Sequence, residues 1–302
     1  MKQRLSIYLI VAAMLSGCEG TSASPPSAMT FDAAGSWIRH DVRHSGLIYA
    51  SAALQAVLIY TYSGQLVGQL GGLWEPAGLC SDNAGDVFVP SRSLVYEYPA
   101  GGSLPVNILD DRPYGPIDCA VDPTTGNVAV VNGGTGANVA IFPAGSNSNP
   151  TLYTAPNISA YQFSAYDPAG NLYVDGIGFK ETFQLAALDK GSGSFVDVPL
   201  KGLNNDKHLA AGIQWDGQYV AVGDGKDGVI YRLAISGSSG TVVQRIKFQG
   251  WHHFVPEFAI VGNRLFLPSS DRLLYYSYPG GGKYRNGFLG SLGYYITVTK
   301  PK

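Results

Sequence analysis

The chain has 302 residues and a formal net charge of −2, with 14% charged residues, 39 glycines and 19 tyrosines. So few charges disfavour amphipathic helices, while many glycines and tyrosines favour tight turns and strands that carry aromatic side chains. The sequence has no cluster of Lys and Arg to neutralise phosphates, so we expect no nucleic acid among the partners.

The first 17 residues have the pattern of an export signal. Lys2 and Arg4 precede an apolar run over residues 5–15, which is too short to cross a bilayer comfortably. The run ends in Leu-Ser-Gly-Cys, which resembles the bacterial lipobox, where the cysteine is acylated and becomes the N-terminus after cleavage. An ordinary secretory signal with a chance cysteine is the alternative. We expect residues 1–17 to form a lipoprotein signal peptide and Cys18 to carry the lipid.

Residues 18–36 are the predicted connection between the lipid and the folded domain. Residues 21–28 are rich in Ser and Pro, a composition typical of an extended and solvated tether. Glu19, and not Asp, follows Cys18, which gives no signal for retention in the inner membrane. The predicted location is therefore the bacterial cell envelope, with the domain anchored to the outer membrane through lipid and facing the periplasm or the surface.

Residues 37–302 are predicted to form one all-β domain, because one phrase recurs at a spacing of about 40 to 50 residues. In this phrase a small residue and a buried pair precede Asp-x-x-Gly-Asn/Asp and a short β run. It is clearest at Asp82, Asp122 and Asp167, and weaker over residues 212–222 and 257–267. Repeats of this length that consist of short strands are typical of a β-propeller.

Five complete units of four strands can be assigned. They cover residues 74–109 (strands 78–81, 86–90, 94–98 and 106–109), 114–153, 161–200, 209–248 and 255–289. Residues 46–70 supply only three strands, at 47–51, 57–62 and 66–70, and residues 293–299 match the missing first strand. We therefore predict a six-bladed β-propeller with four-stranded blades, closed by pairing of its N- and C-terminal strands, which removes exposed edges. Residues 37–42 compete for the same edge position.

The units resemble the NHL-repeat and gluconolactonase-like six-bladed propellers. The resemblance rests on the phrase Pro-x-Gly-Leu/Ile-x-x-Asp-x-x-Gly-Asn-Val/Leu-x-Val and on the turns Tyr-Pro-Ala-Gly (98–101) and Phe-Pro-Ala-Gly (142–145). It covers residues 46–299 and implies the fold. It does not single out an activity, since this fold serves lactonases, lyases, receptor ectodomains and binding platforms.

The resemblance also implies a set of metal ligands with which the residues of this sequence can be compared. Gluconolactonase-like enzymes hold their metal with a Glu, an Asp and two Asn-type oxygens from different first strands. Glu75 or Glu257 would stand for the Glu, whereas Gln162, Ala165 and Gln214 do not match the Asn positions.

The recurring Asp-x-x-Gly segments are interpreted as turns. Asp opens a type I turn by bonding the backbone two residues further on, and Gly or Asn accepts the positive φ that follows. A Ca²⁺ loop would need more oxygens than one such turn provides.

Cys80 and Cys119 are predicted to form a disulfide. Cys80 lies two residues before its turn aspartate and Cys119 three before, so their side chains point to opposite faces of equivalent first strands. Because opposite faces of neighbouring blades pack against each other, both side chains would point into the same interface between blades. An exported protein is also in an oxidising compartment, where disulfides form. Two buried free thiols are the alternative.

Aromatic and acidic residues gather where the first strands should begin, at the mouth of the central channel. We take them as candidate ligand-binding residues: Trp74, Glu75, Tyr114, Tyr161, His208, Trp251, His252 and Tyr294. Rigid aromatic faces with a polar edge suit carbohydrate, peptide or protein ligands. The alternative is that these aromatic side chains plug the channel and pack under loops.

Asp118 and Glu257 occupy equivalent first-strand positions in blades three apart, so they can face each other across the channel. They are candidates for an acid/base pair joined by His208, or for a divalent-cation site together with Glu75. Solvated channel carboxylates are the alternative. The sequence favours a monomeric, envelope-anchored binding module, with a metal-dependent lactonase-like hydrolase and a structural envelope protein as the two alternatives.

Overall fold

The structure is a computed structural model, and it describes residues 35–52, 55–134, 136–204, 210–251, 257–269, 272–289 and 293–301. Six small antiparallel sheets form a ring, which is the six-bladed β-propeller that the repeats predict. Within these residues the helical content is a single 3₁₀ turn, His40–Val42. No helix in the described part of the chain is long and apolar enough to span a membrane.

The strands follow the chain blade by blade, with the first strand of each blade innermost. Blade I takes its N-terminal strands from β1 (Trp37–Ile38), β2 (Leu47–Ala52), β3 (Ala56–Thr61) and β4 (Leu66–Leu70). Blade II has β5 (Cys80–Ser81), β6 (Val87–Ser91), β7 (Leu94–Tyr98) and β8 (Asn107–Asp110). Blade III has β9 (Gly115–Val121), β10 (Val128–Gly133), β11 (Asn138–Phe142) and β12 (Thr151–Tyr153). Blade IV has β13 (Ile158–Tyr166), β14 (Leu172–Gly178), β15 (Phe183–Leu188) and β16 (Val196–Asp197).

The remaining blades depart slightly from this pattern. Blade V has β17 (Leu200–Lys201), β18 (Ala210–Trp215), β19 (Val220–Asp224), β20 (Val229–Ser236) and β21 (Ser239–Gln249). Blade VI has β22 (Ala259–Val261), β23 (Arg264–Pro268), β24 (Arg272–Ser277) and β26 (Asn286–Leu289). β25 (Gly282–Lys283) precedes β26 in the chain, and β27 (Ile296–Val298) follows it. Two short connecting strands, β17 and β25, pair in parallel with β21, the outer strand of blade V.

Blade I closes the ring. Its innermost strand is β27, which pairs with β2 so that Thr297 lies opposite Tyr49. The competing segment forms β1 instead at the outer edge, where Trp37 lies opposite Gln69 of β4. Both ends of the domain thus join one sheet, and the closure expected for residues 293–299 is the one observed.

Each blade packs between two neighbours, so both faces of its sheet are buried. The second strands show this most clearly, since residues 128–131 and 220–224 are buried without alternation. A continuous apolar run of this length is what a strand buried on both faces requires. Apolar clusters fill the seams between blades, such as the cluster around Phe248, Trp251 and Tyr276 between blades V and VI.

The Asp-x-x-Gly turns are held by their own aspartates. Oδ1 of Asp167 accepts hydrogen bonds from the amides of Ala169 and Asn171, at 2.9 and 3.0 Å. Gly170 follows with a φ of +87°, a left-handed conformation that only glycine adopts without strain. The turn interpretation of these segments therefore accounts for their aspartates and glycines.

Candidate functional site

The first strands of all six blades line a cavity of about 690 Å³ in the central channel. Its lining runs from Leu79, Glu257 and Ile296 inside to the turns at Asn83 and Gly217, which are exposed. This volume is in the range of small-molecule sites. The cavity therefore lies at the end that carries the first-to-second-strand turns, opposite the end where the sequence placed the mouth.

Register shifts in three first strands lie beside the cavity. Between Tyr161 and Ser164 of β13 the pairing with β14 slips, and similar shifts occur in blades III and V. A β-bulge of this kind adds a residue to one strand and re-aims the side chains that follow. In blades III and IV the shifts adjoin Asp118 and Ser164, which contact each other.

Asp118 links blade III to blade IV. Its Oδ2 accepts hydrogen bonds from the amide and the hydroxyl of Ser164, at 2.7 and 2.8 Å. A Cβ atom at Gly78 of blade II would lie 2.3 Å from Oδ1 of Asp118, so glycine is required there for close approach. The residue is only 1% exposed. Burial raises the pKa of Asp118 more than the bonds from Ser164 lower it.

Glu257 joins three blades. Its Oε2 accepts hydrogen bonds from the amide of Ile296 in blade I at 3.0 Å and from the amide of Leu79 in blade II at 3.3 Å. The residue is half-buried and lines the cavity. Burial raises its pKa well above the usual value, and the nearby charge of Asp118 raises it further.

The two carboxylates that the sequence paired across the channel therefore influence each other electrostatically, and both are bonded to the inner strands. Asp175 of β14 lies near Asp118 and is fully buried, and its Oδ1 accepts a 2.9 Å hydrogen bond from the amide of Phe163. Burial and the charge of Asp118 raise the pKa of Asp175 well above its usual value. Three acidic side chains therefore share the poorly solvated centre of the ring.

Other side chains also connect neighbouring inner strands. Cys80 and Cys119 form a disulfide between blades II and III, with a Cα–Cα distance of 5.5 Å. Gln214 of blade V bonds both backbone groups of Ile260 in blade VI, at 2.7 and 3.0 Å. The hydroxyl of Ser81 donates to the carbonyl of Val298, which joins blades II and I. The centre of the propeller is thus cross-linked as well as packed.

The remaining candidate residues fall into two groups. Trp74 (45% exposed), Glu75 and Tyr294 (49%) are on the surface, and the guanidinium of Arg92 lies 4.2 Å from the Trp74 ring centroid. Tyr161 and Trp251, each 3% exposed, pack in the apolar seams between blades.

Tyr114 is half-buried, and its amide bonds the carbonyl of Asp111. Cys18, His208 and His252 lie outside the described residues.

Asp118, Glu257 and Glu75, the residues suggested for a cation site, are not grouped as three ligands in the described part of the chain. Oδ2 of Asp118 and Oε2 of Glu257 already accept two hydrogen bonds each, and Glu75 is exposed at the start of blade II. Among the residues that the structure describes, no three His, Cys, Asp or Glu side chains are grouped so that they could hold a metal ion. The donors that the gluconolactonase-like resemblance would require are thus not assembled in these residues.

Sequence reasoning missed several residues that shape this centre. Ser164 and Gln214 act through contacts across a blade seam, and these contacts are not visible in the repeat phrase. Gly78 could have been noticed in the sequence, because it is the small residue that precedes the buried pair in the repeat phrase. The structure shows that glycine is needed there because Asp118 approaches its backbone closely.

Comparisons with known proteins support the fold. No protein family and no curated protein matches the chain. A protein of unknown function from Bacteroides caccae is similar over 84% of this chain and 98% of its own, with a TM-score of 0.61 and 13% identity. A functionally unknown protein from Desulfotomaculum acetoxidans is similar over 85% and 100%, with a TM-score of 0.59 and 12% identity. Hydrazine synthase from Kuenenia stuttgartiensis is similar over 74% and 70%, with a TM-score of 0.53 and 13% identity.

Proposed function

We propose that this protein is a binding module of the bacterial cell envelope that takes a small polar ligand into its central channel. The observation that carries the proposal is the cavity of about 690 Å³, whose lining comes from all six blades. Pockets of this size that are built on rigid strands and carry a few polar groups are typical ligand sites. The NHL-like phrasing of the repeats supports the proposal, since this group of propellers includes binding platforms.

Hydrolysis with a metal has less support. A lactonase-like site needs several carboxylate oxygens that converge on one metal ion, but one oxygen each of Asp118 and Glu257 bonds the inner strands, and no group of three such ligands occurs among the described residues. A purely structural envelope protein would have no use for a polar cavity that reaches the surface. Binding is therefore the function that accounts for most of the geometry.

The proposed anchor is the acylated Cys18 in the lipobox-like sequence. Labelling of growing cells with a radioactive fatty acid tests it, because the label should enter the full chain and be absent from the Cys18→Ala variant. Equal labelling of both proteins would contradict lipid attachment at this residue.

Ligand binding is tested by the melting temperature of the full chain in detergent against a panel of small cationic, neutral and anionic polar compounds, since a ligand bound only to the folded state raises it. Asn83 is exposed at the rim of the cavity, so Asn83→Trp should obstruct entry and abolish the rise. Lys180→Trp adds the same side chain at an exposed residue outside the cavity lining and should leave the rise intact. The proposal fails if no compound raises the melting temperature, or if the Asn83→Trp variant responds as the unmodified protein does.

A further inference from the structure

We propose that the ligand of the channel is an organic ammonium ion, with its charged group at Glu257 and its apolar part against Tyr166 and Trp215. The inference rests on the proposed function, because it names the ligand class of the same cavity. It is carried by three features of the lining, which are its charge, the position of Glu257 and the two aromatic side chains.

The described lining of the cavity is acidic. Asp82, Asp167 and Glu257 belong to it, and Lys300 at the exposed rim is its one cation among the residues that the structure describes. A cleft with low-dielectric walls and one sign of charge concentrates ions of the opposite sign. The cavity therefore favours a cation and disfavours an anion.

Glu257 is positioned to bind the charged group. It lies at the inner end of the cavity, where Oε2 is fixed by the amides of Leu79 and Ile296. The carboxylate of Asp118 is close enough to disfavour a second negative charge, and Asp118 itself bonds neutral donors, of Ser164 and of the Cys119 backbone. An ammonium group at Glu257 would supply the positive charge that this pair lacks.

Two half-buried aromatic side chains line the same cavity from adjacent blades. Tyr166 ends β13 of blade IV, and Trp215 ends β18 of blade V. Each packs one side against an apolar seam, which fixes its orientation, and leaves part of its surface to the cavity. Aromatic faces attract ammonium groups and cover the apolar part of such a ligand.

Binding should also displace a proton. The groups that act on Glu257 are Asp118, whose charge raises its pKa, and Tyr295, whose own pKa is raised by burial and by both carboxylates. Asp175 in turn senses the charge of Asp118, while Asp82, Asp167 and Lys300 face the cavity. A cation beside Glu257 lowers its pKa again, so binding of an ammonium ligand releases a proton to the buffer at pH values between the pKa of the free and of the bound protein.

The test is isothermal titration calorimetry of the full chain in detergent at pH 7 with three probes of matched shape: 2-phenylethylamine, 2-phenylethanol and phenylacetate. We expect the amine to bind roughly 10- to 100-fold more tightly than the alcohol, as a charged hydrogen bond allows, and phenylacetate not to bind. The binding enthalpy of the amine should differ between buffers of different ionisation enthalpy, which reports the released proton.

Two variants separate charge from fold. Glu257→Gln keeps an oxygen for the amides of Leu79 and Ile296, and it should reduce binding of the amine to that of the alcohol. Lys300→Glu changes an exposed side chain at the rim and should strengthen amine binding, while Asp189→Asn changes an exposed side chain outside the cavity lining and should leave binding unchanged.

The outcomes distinguish this inference from the proposed function. Preference for the alcohol or for phenylacetate, or an amine affinity that Glu257→Gln and Lys300→Glu both leave unchanged, overturns the inference while the channel stays a binding site. If the Glu257→Gln variant does not fold, the response to Lys300→Glu and the buffer dependence decide. Absence of binding by all three probes overturns the inference, and the wider panel with Asn83→Trp then decides the function.

Discussion

The carboxylates of the inner strands and those of the turns have the same chemistry in two different environments. Burial raises the pKa of Asp122 in its turn, but hydrogen bonds from Thr125 and Thr124 outweigh it and hold the pKa below its usual value. Asp216 behaves in the same way, because Arg232 and Tyr278 contact it. For Asp118 and Glu257 at the centre, the effect of burial outweighs that of the hydrogen bonds, and the pKa is raised.

The difference lies in the number and charge of the donors. Glu257 accepts two backbone bonds with another carboxylate nearby, whereas Asp216 accepts bonds from a guanidinium, a phenol and two turn amides. Asp122 and Asp216 thus stabilise the fold as anions, whereas burial raises the pKa of Asp82 in the equivalent turn of blade II. An inner carboxylate connects the blades but is most stable when a proton or a cation reduces the negative charge around it.

The largest effect is expected for Asp216→Ala. The change removes the partner of Arg232, which is 13% exposed, and leaves a poorly solvated cation. Loss of one partner of a buried pair typically costs about 3–5 kcal/mol of unfolding free energy. Urea denaturation measures it, with the exposed turn residue Asp189→Ala as the control, which should stay within roughly 0.5 kcal/mol of the unmodified protein. Equal effects of the two changes would mean that the ion pair does not contribute.

A smaller loss is expected for Asp122→Ala. The variant leaves the amide of Thr124 and the hydroxyls of Thr124 and Thr125 without their acceptor, which should cost about 1–2 kcal/mol. Asp122→Asn keeps one acceptor oxygen and should lose less when both are compared by thermal denaturation. A larger loss in the Asn variant would show that charge, and not the bonds, matters most in this turn.

An effect of similar size but opposite sign is expected for Glu257→Gln and Asp118→Asn. Because the folded state raises the pKa of both acids, it holds more protons than the unfolded chain, and their contribution to stability falls as the pH rises from the unfolded pKa through the folded one. Each variant should therefore be more stable than the unmodified protein at pH 8, by about 1–2 kcal/mol, and show less change between pH 5 and pH 8.

The turn aspartates act in the other direction. The lowered pKa values of Asp122 and Asp216 give stability that is present above their unfolded pKa and lost as the pH falls through the folded one. The unmodified domain should accordingly be most stable in mildly acidic solution. A stability maximum above pH 8 would contradict the direction assigned to the inner carboxylates.

Much of the fold could be predicted because its rules are local. The Asp-x-x-Gly turns repeat with each blade, and the missing first strand near residue 46 has its counterpart at residues 293–299, where β27 forms. The opposite facing of Cys80 and Cys119 follows from the two-residue period of a strand, and the structure joins them.

The site was harder to predict because its geometry depends on the register. The bulge between Tyr161 and Ser164 changes which side chains of β13 face the channel, and no pattern in the sequence marks it. Sequence position alone also treated Trp74 and Trp251 alike, although one is on the surface and the other fills a seam. The pairing of Asp118 with Glu257 could be foreseen because both lie in first strands of blades three apart.

The closure of blade I sets the order in which the domain can be completed. β27 follows the other described strands in the sequence, yet it is the innermost strand of the first blade and contributes Ile296 to the contact with Glu257. While the chain is being made, blade I has its other strands but no inner one, and Glu257 lacks one of its donors. Ring closure therefore cannot precede the synthesis of β27, and the strands of blade I that are made first must wait for a strand made after the other blades.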